Sequence, residues 1–320
     1  MTETVARRAL AAWGMEGATF SLIARRENTV FRVRAGGADY ALRLHRPGYR
    51  STRAIDSELA WMRHLHAEGL AVPEPVLAES GALTVEAQGY RADLLTWLDG
   101  VPMGTSGTPL SLPDRTGTFR TMGRTMARLH RLSDEWTLPD GFERHRWDVD
   151  GLLGETPLWG RFWDNPGASG DERARLRAAR DRLRDDLCGA TDFGLIHADM
   201  VRENVLIDGP RLGLIDFDDG GFGYRLFDVA TALFKNRTEP GYDALEAAFL
   251  AGYRTVRPLD TTLLMAFMAV RAVSYLGWIV PRMDEPGADA RQKRFLASAM
   301  PLVDARLAGD GFNPARRGRS

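Results

Sequence analysis

The chain has 320 residues, a formal net charge of −1, 44% hydrophobic and 27% charged residues, values of an ordinary globular protein that exclude a disordered, collagen-like or coiled-coil chain as an overall description. A net charge this small gives no general field for nucleic acid, so no nucleic-acid partner is expected; the single cysteine, Cys188, excludes an internal disulfide and a cysteine-based zinc cluster. Lys235 and Lys293 are the only lysines among 42 Lys and Arg side chains, a ratio expected from the codon usage of a GC-rich genome, and one that leaves no lysine for any task before residue 235.

Residues 4–13 read as a short helix. Residues 19–24 and 29–34 read as strands joined by Arg25-Arg26-Glu27-Asn28, and 39–44 as a third strand after the Gly36-Gly37 turn. A helix is expected over 52–68, with Ile55, Leu59, Met62 and Leu65 as its apolar stripe and Gly69 closing it. Glu58 falls inside that stripe, and an inward carboxylate needs a partner. Further strands are expected at 76–78, 83–87 and 90–97. A Pro/Gly/Thr/Ser stretch then leads to a helix carrying Phe119, Met122, Met126 and Leu129. Residues 133–168 show no readable period. Residues 171–187 form a charged helix whose arginines read as a solvated face, and everything from Asp228 onward reads helical.

The apolar stretch 263–280 has Arg271 at its middle. A central arginine is expensive in a bilayer, so this is expected to be a buried helix. With no long apolar run at the N-terminus, no membrane partner and a cytoplasmic location are expected. The fold class is α+β: a β-rich region over about residues 1–95 and a helical region over 96–320.

The chemistry concentrates in residues 195–219. Residues 205–207 and 212–215 are short apolar strands around the turn Asp208-Gly209-Pro210. Treating the hairpin as symmetric about residue 210 sets Asn204 beside Asp216 at its open end, with Asp199 on the loop entering that end. One amide oxygen and two or three carboxylates there make a set of hard oxygen ligands suited to Mg²⁺ on phosphates.

These residues carry a resemblance. The segments HADMVRENVLI and IDFDDGGFGYRLFDVA are similar to those of the aminoglycoside phosphotransferase/choline kinase family within the protein-kinase-like fold, most like its homoserine-kinase and stress-response-kinase branch. The resemblance extends over about residues 20–280. It implies a two-lobed kinase-like fold, with a nucleotide-clamping lobe at 1–95 and a catalytic, acceptor-binding lobe at 96–320. It also implies transfer of the γ-phosphoryl group of ATP to a hydroxyl of a small molecule: an amino-alcohol, homoserine-like or aminoglycoside-like acceptor.

Carried onto this chain, the resemblance makes Asp199 the catalytic base. It makes Asn204 and Asp216 the Mg²⁺ ligands, with Asp218 a second metal candidate. His197 would shape the loop by hydrogen bonds, and Asp228 would tie that loop down. Arg43 stands where the family's third-strand lysine meets the phosphates, and Glu58 is its helix partner. Asn28 lies in a glycine-poor turn that would cover the phosphates. A protein Ser/Thr kinase on the same scaffold is an alternative, disfavoured by the lack of an Ala-Pro-Glu segment and the short span from Asp216 to Asp228. A catalytically inactive nucleotide-binding protein is another, suggested by the missing lysine. A metal-dependent hydrolase would want more histidines, and none follows His197. Arg202, Tyr224, Arg225, Arg271, Trp278 and Arg282 are open candidates for the acceptor pocket. The arginine-rich end at 315–320 is expected to be a frayed terminus.

Overall fold

The computed structural model describes residues 2–25 and 28–309. Arg26 and Glu27 of the first turn, and the arginine-rich end at 315–320, lie outside the described residues. The chain order is α1 (Thr2–Leu10), β1 (Thr19–Arg25), β2 (Asn28–Ala35), β3 (Ala38–His45), α2 (Thr52–Ala67), β4 (Pro75–Val76), β5 (Val85–Ala87), β6 (Tyr90–Thr96), β7 (Val101–Pro102) and α3 (Arg115–Glu135). It continues with β8 (Arg146–Trp147), α4 (Val149–Leu153), α5 (Gly170–Leu187), β9 (Phe193–Ile196), β10 (Val205–Asp208), β11 (Arg211–Leu214), β12 (Gly221–Tyr224), α6 (Arg225–Phe234), α7 (Tyr242–Arg254), α8 (Leu264–Trp278) and α9 (Ala288–Leu307).

These residues form two compact units. The first takes the described residues within Met1–Met103, Glu135–Arg144 and Asn204–Asp218; the second takes those within Gly104–Asp134, His145–Glu203 and Asp219–Ser320. The division differs from a single cut after residue 95, because two later segments return to the first unit through hydrogen bonds formed far along the chain.

In the first unit an antiparallel sheet runs β1-β2-β3-β6-β4, with β5 also on β6. The alternation of β3 explains its two buried faces. Leu42 and Leu44 join Val5, Ala6 and Leu10 of α1, with Phe31 and Val33, in one apolar cluster. Arg43 and His45 therefore fall on the other face. The stripe of α2 is buried as expected, and the Ser51 hydroxyl caps it by accepting from the Ala54 amide.

A second small sheet, β11-β10-β7, belongs to the same unit. Its hairpin pairs Asp208 with Arg211 and Val205 with Leu214. The loop is therefore the two residues Gly209 and Pro210, with Gly209 at φ +56°, the glycine-first arrangement of a tight hairpin. Its centre lies between 209 and 210, not on 210. This corrects the expected pairing: Asn204 meets Ile215, whose amide donates to the Asn204 carbonyl at 3.0 Å. Asp216 is one residue beyond it.

The second unit holds a sheet β8-β12-β9, with β8 parallel and β9 antiparallel to β12, and the helices α3–α9. Helix α8 is buried almost all round, Arg271 included, as the sequence implied. A Cβ on its Gly277 would lie 2.3 Å from the Gly160 carbonyl and 2.5 Å from that of Trp159. Only glycine lets the 159–160 loop cross the helix so closely, and that crossing brings Trp159 against α8. The arginines of α5 correct an expectation. Arg175 reaches Asp304 of α9, and Arg180 and Arg184 donate to the Leu153 carbonyl, so the charged face fastens neighbouring elements. Among the described residues no helix is long and apolar enough to cross a membrane.

Candidate active site

The candidate residues fall in both units. In the first, Arg43 is buried, with 7% of its side chain exposed. Its Nε donates to Asp93 at 2.9 Å and its Nη1 to Glu58 at 2.8 Å; Nη2 has no hydrogen-bond partner among the described residues. The expected Arg43–Glu58 pair is present, but it belongs to a larger network. Arg144 donates to Glu58 at 3.0 Å and to the carbonyls of Ala54, Phe217 and Asp218, and His45 meets Asp93 at 2.5 Å. Burial pushes the Glu58 carboxyl up, but Arg43 and Arg144 outweigh it and hold the pKa at about 2. Burial works against the Arg43 charge too, yet Asp93 and Glu58 raise its pKa above the ordinary value.

Asn28 and Asp218, assigned separate tasks from sequence, hydrogen-bond to each other at 2.8 Å. Burial, then Glu58, raises the Asp218 pKa. Asp216 is exposed at φ +67°, a conformation L-residues adopt rarely and at a cost. Beside it Phe217 is fully buried and packs edge-on against Trp61 of α2, ring centroids 5.2 Å apart. Asn204 and Asp216 thus share the open end of one hairpin. An amide oxygen and an exposed carboxylate are the oxygen donors that Mg²⁺ accepts when phosphates and water complete its shell. Among the described residues no three His, Cys, Asp or Glu form a cluster that could hold a metal by themselves.

In the second unit Asp199 follows Ala198, itself at φ +62°. Asp228 enforces that turn. Its Oδ2 accepts the His197 amide at 3.0 Å and its Oδ1 the Ala198 amide at 2.8 Å, the loop-fastening contact expected of it. His130 completes the brace: Nε2 donates to Asp228 at 2.9 Å and Nδ1 accepts from the Tyr253 hydroxyl at 2.7 Å. Burial, with Arg225 nearby, pushes the His130 pKa down to about 4 against the pull of Asp228, so the ring is neutral near pH 7. His197 Nδ1 accepts the Asp199 amide at 3.3 Å. The Asp199 carboxylate is one-quarter exposed, and its Oδ1 accepts from Arg271 Nη2 at 2.9 Å.

Around Arg271 is an aromatic enclosure. Its Cζ lies 4.4 Å from the Trp159 ring centre and 4.5 Å from that of Tyr275, and Nη2 also donates to the Tyr275 hydroxyl at 2.9 Å. Lys235 Nζ sits 4.3 Å over Tyr275 and 5.6 Å over Phe295.

The phosphotransferase enzyme family matches residues 19–259. The chain belongs to that family. It is a kinase whose acceptor is a hydroxyl of a small molecule, and its α+β fold is protein-kinase-like, as the motif resemblance implied. A microcompartment-associated aminopropanol kinase is 31% identical, with a TM-score of 0.83, covering 97% of this chain and 99% of that one. A homoserine kinase of Neisseria meningitidis serogroup B is 30% identical over 208 residues, 62% of this chain and 61% of its own. An amicoumacin kinase, solved with AMP-PNP and Ca²⁺, shares the fold at a TM-score of 0.75 and 21% identity, covering 94% of this chain and 93% of that one.

Sequence reasoning missed Asp93, Arg144 and Lys235. Asp93 had a signal, a carboxylate between Ala92 and Leu94 in an apolar strand. Lys235 had one in its rarity. Arg144 lay in the stretch without a period.

Proposed function

We propose that this kinase moves the γ-phosphoryl group of ATP to a hydroxyl of an amino-alcohol, homoserine-like or aminoglycoside-like molecule, with Asp199 as the base. The bond from the γ-phosphorus to the β–γ bridging oxygen breaks, the acceptor oxygen takes its place, and the hydroxyl proton goes to Asp199. Asn204 and Asp216 would hold Mg²⁺, which when bound neutralises phosphate charge; Asp218 would support them through Asn28. Arg43, fixed by Asp93 and Glu58, directs Nη2 to the phosphates, a task its planar fork suits.

The observation that carries this reading is the brace on Asp199. Its loop is held by a buried carboxylate through two amides, its preceding residue is in a costly conformation, and Arg271 orients its carboxylate. Asp199→Asn keeps the shape and removes the base. Turnover is expected to fall on the order of 10²–10⁴-fold while ATP binding, measured by calorimetry, persists. Wild-type turnover in that variant overturns the assignment.

A further inference from the structure

The second unit places two cations, Arg271 and Lys235, on one aromatic ring beside Asp199. Two other buried arginines there, Arg202 and, its Nε apart, Arg225, have partners of their own. Arg202 is taken by Asn236, Glu239 and the Thr108 carbonyl, and Arg225 by Asp134 and the Leu195 carbonyl. Arg271 is different. Fully buried, it has one carboxylate oxygen and one phenol as acceptors, and its Nε and Nη1 have no hydrogen-bond partner among the described residues. A buried charged group so incompletely met is costly unless something else meets it.

Lys235 converges on the same Tyr275 ring. Burial, then the charge of Arg271, lowers its pKa to about 8, against the pull of Asp199 and Glu203 and with that of Arg294. Glu203 is occupied by the Ser106 amide and hydroxyl. Asp199 and Glu203 are the anions that act on Lys235, but on Arg271 the described residues place only one Asp199 oxygen and the Tyr275 hydroxyl. Two of its buried N–H groups are left for another acceptor.

We propose that the acceptor carries a carboxylate as well as its hydroxyl, and that Lys235 and Arg271 recognise it, so that the substrate class is the hydroxy acids, hydroxy amino acids included, and not simple amino alcohols. This rests on the reading of Asp199 as the base. The cations lie in the unit that carries Asp199, whereas the nucleotide machinery assigned above has its own cation in Arg43. Lys235, half-buried and flexible, makes the first contact. Arg271, held flat between rings, supplies the fixed N–H groups once the carboxylate is seated.

Two matched pairs test this, each differing by one carboxylate: homoserine with 3-aminopropan-1-ol, and threonine with 1-aminopropan-2-ol. ATP consumption should favour the acid in at least one pair by about ten-fold or more in kcat/KM, the scale of a charge-assisted hydrogen bond. Lys235→Met should collapse that preference through the KM of the acid, and Lys235→Arg should restore it. Equal use of both members, or preference for the amino alcohols, overturns the proposal. So does an equal fall in kcat for both members in Lys235→Met, which would place Lys235 on phosphoryl transfer. Calorimetry on the wild-type protein separates the two readings. If no compound is turned over but the acids bind and the alcohols do not, the carboxylate site stands and the assigned reaction fails. If neither acid binds, the carboxylate site is refuted.

Discussion

Two buried arginines divide the molecule's electrostatics. Arg43 in the first unit is gripped by Asp93 and Glu58, and its neighbour Arg144 closes the network on the same Glu58. Arg271 in the second unit has one carboxylate oxygen, the Tyr275 hydroxyl and otherwise ring faces. A buried ion pair with good geometry offsets its own desolvation, and losing one partner exposes that cost. The first unit therefore meets its cation with two carboxylates of the chain's own and leaves only Nη2 over. The second gives its cation one carboxylate oxygen and leaves two N–H groups, Nε and Nη1, over among the described residues.

This contrast can be broken at several points. Asp93→Ala strips Arg43 and His45 of a shared carboxylate, and should cost about 3–5 kcal/mol of stability by urea denaturation; a loss under about 1 kcal/mol would mean the network relaxes into water. The His130 brace should show in pH dependence. Its folded pKa of about 4 lies below the ordinary 6.5, so the unfolded chain binds the extra proton first. Stability should be full above pH 6.5 and decline as pH falls towards 4, by about 3 kcal/mol from this group. A His130→Gln variant followed by denaturant midpoints should lose correspondingly less over that window.

Arg43→Lys keeps the charge but cannot span Asp93, Glu58 and a phosphate together. It should lose about 1–2 kcal/mol of stability and raise the KM for ATP; an unchanged KM would leave Arg43 structural. Arg271→Met is the smallest in stability, expected within about 1 kcal/mol of wild type because removing an incompletely paired buried charge offsets the lost contact, while turnover falls. A large stability loss there would make the two arginines alike.

The sequence showed the first unit well because its strands and α2 carry strong local periods, and the inward Glu58 announced a cationic partner. The hairpin register was misread by one residue. Counting about Pro210 ignored that Gly209 takes the first place of a two-residue loop, and a single step moves every side chain to the opposite face. The pairing of Val101–Pro102 with Leu206 and Ile207, and the sheet that joins Arg146–Trp147 to Gly221–Tyr224, were not legible. Strands of two to four residues have too little pattern to declare themselves, and their partners lie far along the chain. Arg144 was hidden for the same reason. The loop at 197–199 was legible in composition but not in conformation, since nothing about Ala198 itself announces a left-handed turn; that turn is imposed by Asp228, thirty residues on.

Lys235 has one more consequence. A lysine whose pKa is brought down to about 8 presents, in mildly alkaline buffer, a substantial fraction of neutral amine with its lone pair available. In a chain whose only other lysine side chain is Lys293, acylation of Lys235 can be read against that of one other lysine and the α-amino group.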